Sequence, residues 1–135
     1  MDPVRRQRGF TLVELLVVFA ILGLLVALIA PLGMRQLDNA RSQEEWLVLQ
    51  RTVEGLAFRA FAQGAEVDLE ARGEELAWRA GGGPRRVLVL HHLFFAPDQS
   101  VHIDAHGLAR PDTLDVRQAD RIRTLPLNRW LTEPR

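Results

Sequence analysis

The stretch RRQRGFTLVELLVVFAILGLLVALIAP, residues 5–31, decides the architecture of this chain of 135 residues. Its apolar part, residues 10–30, is interrupted only by Thr11 and Glu14. As an α-helix this part would be about 31 Å long at a rise of 1.5 Å per residue, and the hydrocarbon core of a bilayer is about 30 Å thick. We therefore predict a transmembrane helix over residues 10–30.

The charges before the apolar run predict its orientation. Three arginines, Arg5, Arg6 and Arg8, precede the run together with a single carboxylate, that of Asp2. Basic residues stay on the cytoplasmic side of a membrane helix. We therefore expect the N terminus in the cytoplasm and the rest of the chain on the far side of the membrane.

The carboxylate of Glu14 separates three interpretations of this segment, because a charge within a membrane is costly and marks a functional position. A secretory signal peptide is disfavoured, since the apolar run is long for such a segment and no Ala-x-Ala pattern closes it. A plain signal anchor explains the run, but it leaves Glu14 and the junction Arg8–Gly9–Phe10 unexplained.

The third interpretation rests on a resemblance. The segment RGFTLVELLVV, residues 8–18, resembles the leader and first residues of type IV pilins and type II secretion pseudopilins. The resemblance implies that residues 1–9 are a cytoplasmic leader peptide and that a prepilin peptidase cleaves between Gly9 and Phe10. It also implies that the new Phe10 amine is methylated, that Glu14 is required for assembly, and that Pro31 corresponds to a proline common in this family.

Physical chemistry fits the role that the resemblance implies for Glu14. Cleavage after Gly9 would leave a charged amine on Phe10 at the edge of the membrane. When the helices of neighbouring subunits stack, Glu14 of one subunit could pair with that amine, which neutralises two groups that lipid disfavours. The alternative is that Glu14 lies at the interface, reaches water and has no special role.

A second apolar periodicity predicts an amphipathic helix over residues 31–63. Its apolar residues recur at spacings of three and four, which is the helical period. They are Trp46, Leu49, Val53, Leu56 and Ala60, and we expect Leu47, Ala57 and Phe61 to widen the stripe. Gly64 is the expected C-cap. Because Pro31 need not end a helix that is packed on its neighbours, we predict one continuous helix over residues 10–62.

After Gly64 the period changes to two, which predicts a β head over residues 64–135. We expect residues 67–71 and 76–80 to form a hairpin, and residues 87–95 to form a continuous, central strand. Pro126 argues against a central place for the last strand. The remaining predictions are a turn at residues 96–100, a strand over residues 101–105, a loop over residues 112–120 and an edge strand over residues 121–131.

The predicted fold class is therefore α+β: one long helix, with a membrane half and an amphipathic half, packed on a small antiparallel sheet of four or five strands. This architecture resembles that of a pilin. The short head, the lack of a C-terminal cysteine pair and the ending VHIDAHGLARPDTLDV…TLPLNRW are most similar to the H-type minor pseudopilins.

The composition argues against several other functions. Seventeen basic residues, all of them arginine, balance seventeen acidic ones, so the totals show no nucleic-acid footprint. The chain has no cysteine, which excludes disulfides, thiol catalysis and cysteine-type zinc sites. No P-loop, GxGxxG or HExxH motif occurs. We predict no catalytic residue and no cofactor.

Two groups of residues are candidates for metal sites. His102, Asp104 and His106 fall on one face of a predicted strand, but no fourth ligand accompanies them, so a solvated sheet face is the preferred interpretation. The second group lacks the spacing of a calcium loop and is interpreted as an acidic loop. It consists of Asp112, Asp115 and Asp120.

Together the residues and the resemblance predict a minor pilin-like subunit of a type II secretion pseudopilus, without enzymatic activity. The expected partners are a prepilin peptidase, other major and minor pilins or pseudopilins, and the membrane; a small-molecule substrate or nucleic acid is not expected. The subunit would cross the inner membrane once, with its head in the periplasm, and then enter an envelope filament. The alternatives are a minor subunit of a type IV pilus, serving adhesion, motility or DNA uptake, and an unprocessed membrane-anchored binding protein.

Overall fold

The computed structural model describes residues 9–129. The chain folds as two compact units, the first ending at Leu37 and the second beginning at Asp38. Helix α1, Leu12–Gln63, contributes to both units and contains Pro31. The predicted continuous helix through Pro31 is therefore confirmed to within about two residues at each end, which is the usual uncertainty of helix boundaries.

The C-terminal end of α1 has the geometry that Gly64 predicted. Gly64 has a φ of 60°, a left-handed conformation that favours glycine because it has no Cβ. The Ala65 N–H donates to the Ala60 carbonyl at 3.1 Å, which is the six-to-one hydrogen bond of a Schellman motif. The prediction of Gly64 as the C-cap is confirmed.

Seven strands follow within the described residues. Five of them form an antiparallel sheet in the order β3-β2-β1-β4-β5, and the last two form a separate hairpin. The strands are β1 Val67–Gly73, β2 Glu75–Ala80, β3 Arg86–Val89, β4 Phe95–Ile103, β5 Ala109–Arg110, β6 Thr113–Gln118 and β7 Arg121–Pro126. The predicted fold class, a long helix packed on a small antiparallel sheet, is confirmed, although seven strands replace the four or five expected.

The core of the second unit lies between α1 and the strands. On the helix it contains the five apolar positions that the helical period predicted, together with Ala57. Leu47 and Phe61 were expected to widen this stripe, and that prediction is wrong, because their exposed fractions are 51% and 60%. At 100° per residue these two side chains lie beyond the flank of the helix that faces the core.

The prediction of a central strand over residues 87–95 is wrong. Strand β3 ends at Val89 and lies at the edge of the sheet, and the chain bends at His91 and His92. The Glu45 carboxylate explains the bend, since it accepts the main-chain N–H groups of His91 and His92 at 2.9 and 2.8 Å. These two N–H groups are satisfied by the helix and not by a neighbouring strand.

The prediction of a turn at residues 96–100 is also wrong, because these residues belong to β4. The ladder between β1 and β4 shifts register between Ala71 and Gly73, and Pro97 lies opposite this irregularity. A proline cannot donate to a ladder and is tolerated at such bulges. The proline therefore indicated an irregularity in a strand and not the end of one.

Two predictions near the C terminus have opposite outcomes. The predicted loop over residues 112–120 is wrong, because β6 occupies most of it and buries Leu114 and Val116. The predicted edge strand over residues 121–131 is confirmed as β7, which pairs with β6 and ends at Pro126. Residues 130 and 131 of that prediction lie outside the described residues.

Candidate functional site

The candidate site lies at the start of α1, where Thr11 and Glu14 bond each other reciprocally. The Thr11 N–H donates to Glu14 Oε2 at 3.0 Å, and the Glu14 N–H donates to Thr11 Oγ1 at 3.2 Å. The Leu15 N–H donates to the Thr11 carbonyl at 3.2 Å, which makes Thr11 the N-cap residue. This arrangement is a capping box, and it satisfies two of the N–H groups that a helix start leaves without a partner.

The capping box gives Glu14 a role within its own chain. Neither of the two roles considered from the sequence, pairing with a neighbouring Phe10 amine or reaching water at the interface, included it. Its carboxylate lies in the first turn of α1, where the helix dipole also favours a negative charge. The signal was visible, because a threonine followed three residues later by a glutamate before an apolar run is typical of a capping box. Among residues 9–129, Oε2 of Glu14 accepts a hydrogen bond and Oε1 accepts none, so Oε1 is available for another donor.

The predicted cleavage point lies directly before this box. Gly9 and Phe10 are exposed and precede the helix in irregular backbone, and 91% of the Phe10 surface is accessible. A Cβ at Gly9 would meet no atom within 4 Å in the described structure. An exposed, non-helical segment is the backbone form in which proteolytic cleavage concentrates. The Gly9–Phe10 bond therefore lies just before the start of α1, and the Glu14 carboxylate lies in its first turn.

The rest of the first unit presents apolar side chains to its surroundings. By length and composition α1 is apolar enough to cross a membrane, and its most apolar window has no buried residue. Large apolar side chains that are about half exposed or more include Leu15, Val17, Phe19, Ile21, Leu24, Val26, Leu28 and Ile29. Soluble proteins rarely expose so large a continuous apolar surface, and a membrane or partner helices would cover it.

The three residues that were considered as a candidate metal site, and set aside, are not brought together. His102 lies on β4, and its Nδ1 is 2.7 Å from Asp68 Oδ1, whereas Asp104 and His106 follow the strand in a turn. The prediction that the three share a strand face is therefore wrong for Asp104 and His106. In the described part of the chain no group of three or more histidine or acidic side chains could hold a metal ion.

The two shifted pKa values in this region have local causes. The hydrogen bond from His102 to Asp68 raises the pKa of the imidazole. The pKa of Asp104 is lowered, chiefly because its carboxylate accepts the Leu108 N–H at 3.0 Å. The carboxylate of Asp115, a candidate calcium ligand in the sequence, accepts the hydroxyl of Thr124 across the β6–β7 hairpin at 2.8 Å. These groups serve turns and strand pairing.

Comparison with known proteins bears on the N-terminal segment. Residues 4–30 match the family model of the prokaryotic N-terminal methylation motif. No curated protein and no solved structure matches the chain at a significant level. The matched residues contain the predicted cleavage point, the capping box and the apolar run.

The motif implies processing by a prepilin peptidase and assembly with other pilins. The long apolar helix is consistent with a subunit anchored in the inner membrane. The motif over residues 4–30 and the α+β architecture therefore support a place for this chain among the type IV pilin-like proteins, which include the pseudopilins.

Proposed function

We propose that this chain is a minor pilin-like subunit of a type II secretion pseudopilus. It enters the inner membrane with its N terminus in the cytoplasm and its β head in the periplasm. A prepilin peptidase removes residues 1–9, and the new amine of Phe10 is methylated. The subunit then joins other major and minor pseudopilins in a filament that serves protein export.

The position of Glu14 carries this proposal. It is the only charged residue in the apolar run of residues 10–30, and it lies four residues after the proposed new N terminus. The capping box occupies Oε2, which leaves Oε1 for the Phe10 amine of a neighbouring subunit. In a low-dielectric helix bundle such a pair neutralises two charges that would otherwise be costly to bury.

The choice of a secretion pseudopilus over a pilus rests on the head. The described head is small, and its C-terminal part is a short hairpin, β6–β7, with no cysteine pair in the chain. These features favour a minor pseudopilin of the H type. The second candidate is a minor subunit of a type IV pilus, which the same N-terminal segment would serve.

Processing is tested by expressing the full chain in a bacterial host with and without a prepilin peptidase. We expect the mature chain to begin at Phe10 and to carry one N-terminal methyl group only when the peptidase is present. Gly9→Val is the matched variant, because a β-branched side chain at the cleavage point should block removal of residues 1–9. A mature chain that still carries residues 1–9 in the presence of the peptidase would contradict the proposal.

The choice between a secretion pseudopilus and a type IV pilus is tested in the native bacterium. Deleting the gene should reduce the amount of secreted proteins and leave surface pili and twitching unchanged, and the intact gene should restore secretion. Loss of pili with normal secretion would support the type IV pilus instead. Normal secretion and normal piliation, together with an unprocessed N terminus, would support the membrane-anchored binding protein.

A further inference from the structure

The turn that joins β6 to β7 lies beside α1 where the chain enters the second unit. That unit begins at Asp38, and the apolar run ends only a few residues earlier, at residue 30. A groove of about 700 Å³ is lined by Asn39 and Gln43 of α1 and by residues 118–123 of the hairpin. The β6–β7 turn is therefore a part of the head that lies close, along the chain, to the predicted transmembrane helix.

Positive charge predominates in this groove. The side chain of Arg121 is exposed and has no hydrogen bond or ion pair within residues 9–129. Nη1 of Arg123 donates to Gln118 at 3.0 Å and to Gln43 at 3.5 Å, which leaves its Nε and Nη2 without an acceptor in the described part of the chain. The lining contains one carboxylate, that of Asp120. Two guanidinium groups with free N–H donors suit a phosphate group, which arginine binds through paired hydrogen bonds.

An exposed apolar side chain adjoins these charges. Ile122 lies between the two arginines in the sequence, and 68% of its surface is accessible. Successive residues of a strand point to opposite faces, and Leu125 lies on the buried face of β7, so Ile122 contributes nothing to the core. Amphipathic segments that bind the interface of a bilayer combine apolar side chains with basic residues in this way.

We propose that the β6–β7 turn docks on the membrane that anchors α1. In this contact Arg121 and Arg123 bind the phosphate of an anionic phospholipid, and Ile122 enters the headgroup region. The contact holds the head on the bilayer until the subunit joins a filament. It rests on the anchoring of α1 in a membrane and not on the choice between a secretion pseudopilus and a pilus.

The location of the groove favours a lipid over an acidic protein. The chain enters the second unit at Asp38, next to Asn39 of the groove, so an anchored chain meets lipid at a high effective concentration. Weak contacts then suffice, and each basic residue near an anionic surface increases binding about fivefold. Two arginines and one apolar side chain would be a small interface for a partner protein.

Fluorescence quenching of the full-length chain in vesicles tests this contact. The natural chain has no cysteine, so Ala119→Cys places a single fluorophore on the exposed turn and leaves both arginines and Ile122 intact. The vesicles contain phosphatidylcholine, alone or with phosphatidylglycerol, and a trace of lipid with a nitroxide on its headgroup. We expect strong quenching with phosphatidylglycerol and much less without it. Added salt should reduce the quenching, because it screens the charges.

His106→Cys is the matched control at the other end of the head. His106 follows β4, whose last residue, Ile103, pairs with Val67 just beyond the C-terminal end of α1. The helix extends about 36 Å from Asn39 of the groove to Gln63 at that end. A fluorophore at His106 should therefore remain unquenched in both kinds of vesicle.

Substitutions in the labelled chain separate the two parts of the contact. Arg121→Gln should lower the ratio of docked to free turn about fivefold in vesicles with phosphatidylglycerol, and Arg121→Lys should retain most of the docking. Ile122→Ser should also reduce docking, and Ile122→Val should reduce it less. Circular dichroism of each variant in detergent checks that the head is folded.

The proposal is overturned if the label at Ala119 is unquenched in both kinds of vesicle or equally quenched in both. It is also overturned if folded Arg121→Gln leaves the quenching unchanged, or if the label at His106 is quenched as strongly. The vesicles contain no peptidase and no other pilin, so such a result would leave the proposed function standing. Failure of processing in cells would likewise leave the lipid contact standing.

Discussion

The guanidinium group of Arg123 lies over the indole ring of Trp46, with its Cζ 3.9 Å from the ring centroid. The same group donates to Gln118 Oε1 at 3.0 Å, and Gln118 Nε2 donates to Ser42 Oγ at 2.7 Å. Ser42 is buried, with 5% of its surface exposed. A chain of polar contacts therefore connects the β6–β7 hairpin to α1.

We predict that Arg123→Ala lowers the free energy of unfolding by about 1–2 kcal/mol, from the lost cation–π contact and the lost hydrogen bond to Gln118. Arg123→Lys should recover part of this loss, because it restores the charge but not the planar group. Denaturant unfolding of the full chain in detergent, followed by tryptophan fluorescence, measures the change. Arg121→Ala, on the same strand, is the control; equal losses in both variants would show that the contact with Trp46 contributes nothing.

The charge of Glu14 and its role in the capping box with Thr11 can be separated by substitutions at Glu14. Glu14→Gln keeps an acceptor for the Thr11 N–H and removes the charge, so the capping box should persist while pairing with a neighbouring Phe10 amine is weakened. We expect Glu14→Gln and Glu14→Val to insert and to be processed normally, and both to lose cross-links to sibling subunits. If Glu14→Gln assembles normally and Glu14→Val does not, the capping box, and not the charge, is what assembly requires.

The matched test of the cap itself uses Thr11. Thr11→Ala removes the hydroxyl that accepts the Glu14 N–H and should destabilise the start of α1 by about 1 kcal/mol, whereas Thr11→Ser should behave like the natural chain. Hydrogen exchange of the Glu14 amide in detergent measures this local opening. Unchanged protection in Thr11→Ala would show that the box does not hold the helix start in solution.

The carboxylate of Glu45 accepts two consecutive N–H groups, those of His91 and His92. Glu45→Ala should leave both donors without this partner and lower the free energy of unfolding by about 1–3 kcal/mol. Glu45→Gln retains one acceptor oxygen and should lose less. Thermal unfolding measures both changes, and Glu44→Ala, at the adjacent exposed position, should have almost no effect; a similar loss at both positions would contradict the assignment.

The contact between His102 and Asp68 predicts a dependence on pH. The pKa of His102 is raised from 6.5, first by the hydrogen bond with Asp68. A raised pKa in the folded state means that the contact stabilises fully below pH 6.5 and that this stability is lost as the pH rises through the folded value. The effect should be small, because 46% of the His102 side chain is exposed and solvent screens the charge.

NMR titration of the imidazole provides the measurement. The midpoint for His102 should lie above 6.5 in the natural chain and should fall in Asp68→Asn. His106, whose side chain is 84% exposed, serves as the internal comparison within each sample. A midpoint for His102 that does not respond to Asp68→Asn would refute the prediction.

Much of the fold follows from local patterns. The apolar run, the helical period from Trp46 to Ala60, the C-cap at Gly64 and the first hairpin all depend on residues close in sequence, and the structure confirms them. The capping box of Thr11 and Glu14 is equally local and could have been predicted from its spacing. The missed strand β6 also had a local signal, because Leu114 and Val116 alternate with polar residues.

Two of the errors concern contacts between distant residues. Residues 87–95 form an apolar run that favours a single strand, yet the chain bends because Glu45, 46 residues before His91, accepts its N–H group. Strand β4 continues through Pro97 because the ladder with β1 contains an irregularity there. The period of a strand reports which face is buried, but it contains no information on which partner satisfies each main-chain group.

The sequence by itself determined the apolar run, the helix with its ends and the α+β class, because apolar runs, caps and periodicities arise from residues within a few positions of each other. Only the tertiary structure decided that β3 is an edge strand, that Arg123 covers Trp46 and that Glu45 bends the chain after β3. These features depend on packing and hydrogen bonds between elements that are far apart in sequence, and local propensity does not encode such choices.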